Sequence, residues 1–158
     1  MKSHLSGTFV TPLYRGRIWV GLFLIVPAFL LTGCGTDPFR YVDVTGTVKY
    51  EDGTPIPAAF MTVTFESQSE GIDEKTHPRP GMAVVKEDGT FGQVTSSPQA
   101  IGEGIVPGKH KVVIRAFDDM ERQLDVIPSE YSDVTTTPIE IDTNDTTHFD
   151  IKIKKPVN

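Results

Sequence analysis

Alternation of apolar and polar positions dominates the chain beyond residue 41 and predicts β-strands. Every second residue is apolar, or small in the cases of Gly46 and Thr137, in the runs 42–50, 61–65, 112–116, 137–141 and 149–153. A period of two puts one face of each strand into a core. Beyond Cys34 no stretch shows an apolar period of 3.6 residues long enough for a secure helix. The pattern therefore predicts an all-β fold, a single sandwich of about seven short strands.

Asp-Gly pairs mark two predicted turns. The first run ends at Asp52-Gly53, and Asp88-Gly89 separates two short predicted strands, 82–86 and 90–94. Asp-Gly is the strongest short-range signal for a tight hairpin. We therefore predict that 82–86 and 90–94 pair locally as a hairpin.

Two longer polar segments, 67–81 and 96–107, have no periodicity and contain several glycines and prolines, so they are predicted loops. Recognition tends to lie on loops held by a rigid scaffold, which makes both segments candidate contact surfaces. The stretch 118–133 is ambiguous. Residues 123–127 could form a short edge strand, and Ile127-Pro128 with Tyr131 indicates a packed crossing segment.

The first 33 residues have the pattern of a signal peptide. They contain three basic and no acidic residues, and 14 apolar or neutral positions from 18 to 31 include Pro27. A spanning helix needs about 20 such residues, so a cleaved leader is favoured over a permanent anchor. Leu31, Thr32, Gly33 and Cys34 then match a bacterial lipobox, in which Cys34 is acylated, for example with palmitate. The alternative is an ordinary signal peptide or signal anchor with a coincidental cysteine.

These signals divide the chain into four parts, with one folded domain among them. We predict a signal peptide over 1–33, a lipidated tether over 34–41, a β-sandwich domain over 42–154 and a short tail over 155–158. The unlipidated part of the tether, 35–41, reaches at most about 25 Å. The predicted location is therefore the cell envelope, with the bilayer as a partner through acylated Cys34.

Net charge limits the class of partner, and cysteine content limits how the domain is stabilised. Removal of 1–33, which holds three of the 15 basic residues and none of the 21 acidic ones, leaves a net charge of −9. That charge disfavours nucleic acid as a partner. Cys34 is the only cysteine, so the domain forms no internal disulfide and depends on its hydrophobic core.

Several short motifs, taken in order, resemble a known family. They are Val44-Thr45-Gly46-Thr47-Val48, Asp52-Gly53-Thr54-Pro55, Asp88-Gly89-Thr90-Phe91, Val106-Pro107-Gly108-Lys109, Ile127-Pro128-Ser129-Glu130-Tyr131 and Phe149-Asp150-Ile151, behind the lipobox. Together they resemble the small planctomycete-type lipoproteins with a carboxypeptidase regulatory-like domain. The resemblance implies a transthyretin-like (prealbumin-like) Greek-key sandwich. It implies no catalytic residues and no cofactor.

Catalytic and metal-binding patterns are weak. No nucleophile elbow, zinc-protease motif or phosphate loop occurs in the sequence. His148 and Asp150 share one strand face and could form half of a zinc site, whereas solvated polar positions are the simpler interpretation. His77 and His110 lie in a loop and at a strand start. The turn at Asp142, which also holds Asn144 and Asp145, lacks the full calcium-loop pattern. We predict no catalytic and no metal site.

Aromatic residues leave a binding alternative open. Phe60 lies on the face opposite Met61, and Phe91, Phe117 and Tyr131 border loops. They could form a small exposed platform for sugars, or they could pack in the core and at its edges.

The expected function is that of an envelope lipoprotein whose sandwich is a non-catalytic binding or structural module. One alternative is a carbohydrate- or peptidoglycan-associated module, and a weaker one is a metal-dependent hydrolase. The domain could also dock on a larger envelope protein as an accessory.

Overall fold

The structure is a computed structural model that describes residues 37–96, 102–118 and 122–157. The chain divides into two units, 1–38 and 39–158. The strands of the described residues lie in the second unit, and the rest of this section concerns that unit. The predicted lipobox, Leu31 to Cys34, lies outside the described residues.

Within the described ranges, eight strands form two sheets. They are β1 (Thr45–Tyr50), β2 (Phe60–Ser67), β3 (Gly81–Val85), β4 (Thr90–Phe91), β5 (Lys109–Asp118), β6 (Arg122–Gln123), β7 (Glu140–Asp142) and β8 (His148–Ile153). A three-stranded sheet has the order β4-β1-β8, and a five-stranded sheet has the order β3-β2-β5-β6 with β7 also paired to β5. The two sheets pack together, so the predicted all-β sandwich is confirmed. The described residues contain no α-helix, and one short 3₁₀ helix spans Ser129–Ser132.

The alternating apolar positions form the core between the sheets. Val48, Val63, Phe65 and Ile153 are fully buried. The rings of Phe65 on β2 and Phe91 on β4 lie 5.7 Å apart, and these strands belong to different sheets. The inward positions predicted from the period of two in β1, β2, β5 and β8 agree with this burial.

β1 and β8, the first and last strands, pair in parallel, a relationship that the sequence pattern did not predict. Thr45 is opposite His148, and Tyr50 is opposite Ile153. Gly46 lies in the buried row, where an added Cβ would overlap the backbone oxygen of Phe149 and lie 2.9 Å from Cζ of Phe91. The absence of a side chain at Gly46 therefore allows β1, β4 and β8 to approach closely.

The predicted hairpin between 82–86 and 90–94 is wrong. β3 pairs with β2 and β4 pairs with β1, so the Asp88-Gly89 turn carries the chain from one sheet to the other. Local pairing is limited to the turn, where Lys86 N–H donates to Thr90 O over 2.8 Å, and to a bridge between Met82 and Thr95. The strand leaves β3 because Phe91 is buried against the core when β4 lies beside β1.

The stretch 118–133 forms less strand than its sequence allows. Of the candidate edge strand 123–127 only Gln123 is in a strand, as the second residue of β6. Ile127 and Tyr131 are 6% and 4% exposed, which confirms the predicted packed crossing segment. This segment brings Ser132 to β5, where its hydroxyl donates to Ile114 O over 3.2 Å.

On the side of β5 away from β2, further hydrogen bonds join the strand to Leu124, Thr137 and Ile139. Ile139 O accepts from Val112 N–H, the Thr137 hydroxyl donates to Val112 O over 2.6 Å, and Leu124 N–H donates to Ala116 O. These bonds satisfy polar groups that an edge strand would otherwise expose. None of the helices in the described part of the chain has the length and apolar character needed to cross a membrane.

Candidate binding face

The candidate site is the side of the five-stranded sheet that faces away from the core, here called the outer face. It is formed by side chains that alternate with the core positions of β2, β3 and β5. The register aligns them in cross-strand rows, which are Val84, Thr62 and Arg115, then Met82, Thr64 and Val113, then Phe60 and Phe117.

The outer face has an apolar patch, formed by Met82 and Val84 at the β3 edge of the five-stranded sheet. Met82 and Val84 are 52% and 53% exposed, and both lie on β3. Val113 and Thr62 lie on the same face but are only 4% and 8% exposed. A solvated sheet face normally alternates to polar residues, and contiguous exposed apolar groups often mark an interaction surface. The sequence analysis correctly predicted that the side chain of Thr62 points away from the core. It did not predict that this side chain is buried.

An aromatic pair extends this apolar surface. Phe60 and Phe117 are direct register partners on β2 and β5, with ring centroids 6.2 Å apart and ring planes tilted by 42°. Both rings are partly exposed. Of the four aromatics proposed for a platform, these two meet on the outer face, whereas Phe91 and Tyr131 are buried in the core. The register between β2 and β5 decides this outcome, and alternation alone does not give it.

Charged and polar groups lie along β5, which β2 separates from the apolar patch. Arg115 donates through Nε to Ser132 O over 3.2 Å. At one end Asp118 accepts from Nε and Nη2 of Arg122, over 3.1 and 2.5 Å. At the other end Lys109 lies 3.9 Å from Glu140. The outer face therefore has an apolar side at β3 and a polar side at β5.

The opposite side of the sandwich carries His148 and Asp150, the pair that could have formed half of a zinc site. His148 Nε2 lies 3.9 Å from Asp150 Oδ1, and both side chains are more than 60% exposed. The Thr45 hydroxyl lies 3.0 Å from His148 Nδ1, and the Thr47 hydroxyl donates to Asp150 over 2.8 Å. Parallel pairing of β1 and β8 explains these contacts. Within the described ranges no three His, Cys, Asp or Glu side chains gather as metal ligands would, so this pair has no third protein ligand there.

His110, by contrast, lies in the core. Its side chain is 1% exposed, Nε2 bonds to Val106 O over 2.8 Å, and Nδ1 has no hydrogen-bond partner among the described residues. Burial lowers the pKa of His110 below its ordinary value, while the bond to Val106 and the charge of Asp142 act in the opposite direction. The sequence reasoning missed this burial. The signal was available, because His110 is in phase with Val112 and Ile114.

The two predicted contact loops differ. Residues 68–80 form an irregular segment, as predicted, in which Asp73 accepts two backbone bonds of 2.8 Å that lower its pKa. In the second loop Ile105 is fully buried, and Ser96 donates to Gly104 O over 2.7 Å. Residues 97–101 lie outside the described part. A contact role for either loop stays a prediction.

Comparisons with known proteins assign this chain to no family. No family model matches the sequence, and neither the curated proteins nor the solved structures searched contain a match.

Proposed function

We propose that this chain is a lipid-anchored envelope lipoprotein whose β-sandwich binds an envelope protein through the outer face. The anchor is Cys34, acylated after cleavage behind Leu31, Thr32 and Gly33. The domain is a non-catalytic module of the carboxypeptidase regulatory-like, transthyretin-like type that its motifs resemble.

The observation that carries the binding proposal is the exposure of Met82 and Val84 beside the Phe60 and Phe117 pair. Complete burial of such side chains stabilises a complex by roughly 1.5–3 kcal/mol each. Since both aliphatic chains are about half buried already, each would add about 1 kcal/mol. The apolar patch lies at the β3 edge of the sheet, and two exposed aliphatic side chains side by side favour a protein partner.

A protein fits this face better than a sugar does. Sugar rings stack on flat aromatic faces, but Phe60 and Phe117 are tilted by 42° and partly covered. The most exposed apolar atoms belong to Met82 and Val84, which are aliphatic and offer no stacking plane. Glycan recognition is nevertheless the second candidate function, and the adjacent aromatic pair is the observation that favours it.

Site-specific photo-crosslinking in cells tests the protein partner. A photoreactive residue replaces Met82 in the full chain, and a matched probe replaces Glu87, which is exposed in the Asp88-Gly89 turn beyond the end of β3. We expect a discrete protein adduct from position 82 and none from position 87. A second substitution, Val84→Asp, places a charge beside the probe and should abolish the adduct.

Three outcomes contradict this proposal. Equal adducts from positions 82 and 87 would show random encounters, and an adduct that survives Val84→Asp would show that the apolar patch does not bind. Retention on purified wall material that Phe117→Ala removes, without any protein adduct, would favour the glycan module instead.

A further inference from the structure

One edge of the three-stranded sheet has open backbone groups. In the parallel pairing of β8 with β1, Thr45 N–H donates to Thr147 O and Glu51 N–H donates to Ile153 O. The odd-numbered residues of β8 therefore bond to β1, and the N–H and C=O groups of Asp150 and Lys152 point to the other side. Within the described part of the chain β8 pairs with no other strand, so these four groups face no strand there.

The open section has defined ends. At His148 the edge groups bond to the Thr146 hydroxyl, with N–H donating over 3.2 Å and C=O accepting over 3.3 Å. At Lys154 the N–H is directed to the Tyr131 hydroxyl over 3.5 Å. The open window thus spans Asp150 to Lys152. The edges of β3 and β5, in contrast, are bonded to Thr95 and to Ile139.

We propose that β8 pairs antiparallel with β8 of a second copy of this chain, about a two-fold axis at Ile151. In this register Asp150 of each copy lies opposite the partner's Lys152, and the four open groups of each strand meet as two hydrogen-bonded pairs. The two three-stranded sheets would become one continuous six-stranded sheet.

Charge selects this register from its neighbours. An axis at Asp150 places two carboxylates opposite each other, and an axis at Lys152 or Ile153 places two ammonium groups opposite each other. Like charges in directly opposed positions destabilise a sheet, whereas opposite charges stabilise it. An axis at Phe149 pairs His148 with Asp150, but the edge groups of His148 are already bonded to Thr146.

The core side of β8 agrees with the same axis. Ile151 would face the partner's Ile151, and the partly exposed Phe149 would lie beside the partner's Ile153. On the outer side, the Thr47 hydroxyl holds the Asp150 carboxylate above the sheet at 2.8 Å. This position leaves the carboxylate available to a lysine from the adjoining strand.

Charge exchange tests the pairing in the full chain. In a dimer of the Asp150→Lys variant a lysine lies opposite a lysine at both paired positions, and in a dimer of Lys152→Asp a carboxylate lies opposite a carboxylate. Each variant should therefore self-associate roughly tenfold more weakly than the parent chain. A mixture of the two variants restores both opposite-charge pairs and should dimerise like the parent. Sedimentation equilibrium in a density-matched detergent measures all three samples.

A matched control separates pairing from general charge effects. Glu87→Lys makes the same change in charge as Asp150→Lys but lies at an exposed turn, and it should leave dimerisation unchanged. Circular dichroism checks that each variant folds.

Zero-length carboxyl-to-amine crosslinking provides a second measurement on the unmodified chain. A mixture of chains grown on light and heavy nitrogen should give an Asp150 to Lys152 crosslink that joins light to heavy peptides. A monomeric parent chain would overturn the proposal, as would self-association of both single variants at the parent level or crosslinks confined to one isotope. Because β8 is separate from the outer face, these results do not depend on whether that face binds a partner.

Discussion

The imidazole Nε2 of His110 donates a hydrogen bond to the carbonyl oxygen of Val106 over 2.8 Å, from a side chain that is 1% exposed. Burial lowers the pKa of His110, and Nδ1 has no hydrogen-bond partner among the described residues, so the neutral ring with its proton on Nε2 is the favoured form. Protonation of Nδ1 would place an N–H donor without an acceptor in the core, and such a donor is costly there.

Folding stability should consequently fall in weak acid. The pKa of His110 is lowered in the folded state, chiefly by burial, so below the ordinary histidine pKa of about 6.5 the unfolded chain binds a proton that the native chain does not. The stability that the neutral His110 contributes is fully present above pH 6.5, and it is lost as the pH falls toward the folded-state pKa of this residue. The slope is at most about 1.4 kcal/mol per pH unit.

Urea unfolding between pH 7.5 and 5 (about the range of this titration) measures the effect. His110→Gln cannot titrate but retains an N–H donor for Val106, so its unfolding free energy should depend less on pH than that of the parent. His148→Gln changes an exposed histidine and serves as the control. Equal slopes for the parent and His110→Gln would contradict the assignment.

Gly46→Ala should destabilise the sandwich strongly. The new Cβ would collide with the backbone oxygen of Phe149 and approach the Phe91 ring to 2.9 Å, so we expect a loss of about 2 kcal/mol or more. Gly92→Ala is the matched control, because its Cβ would meet Thr45 Cγ2 at an ordinary 3.6 Å. Thermal unfolding compares the two variants, and similar midpoints would show that the β1 and β8 contact is wrongly described.

Cys34→Ser tests the proposed anchor. The variant should incorporate no radiolabelled palmitate and should either leave the membrane fraction or accumulate unprocessed, since the acylated thiol is absent. Thr36→Ser, in the adjoining tether, should be processed and retained like the parent. Unchanged processing together with membrane retention of Cys34→Ser would indicate an ordinary signal anchor.

Local pattern was enough to predict which residues enter the core. The period of two placed Met61, Val63 and Phe65 inside correctly, because the direction of a side chain in a strand depends only on its position. The same parity marked His110, where the polar character of the residue was wrongly given more weight than its phase.

Pairing between distant strands was not predictable in this way. Asp88-Gly89 encodes a turn but not the sheet that receives Phe91, so the hairpin prediction was wrong. The parallel contact of Thr45 with His148 joins residues more than 100 positions apart. The meeting of Phe60 with Phe117 likewise depends on the register of β2 against β5, which no single segment contains.

Recovery of a partner with the intact outer face is the most direct measurement of the central claim. The tagged full chain and its Val84→Asp and Glu87→Lys variants are extracted in mild detergent, and co-purified proteins are quantified by isotope ratio. We predict an envelope protein recovered equally with the parent and Glu87→Lys but at least about tenfold less with Val84→Asp, since a buried unpaired charge disrupts an apolar contact. Equal recovery with all three chains would contradict binding through the outer face.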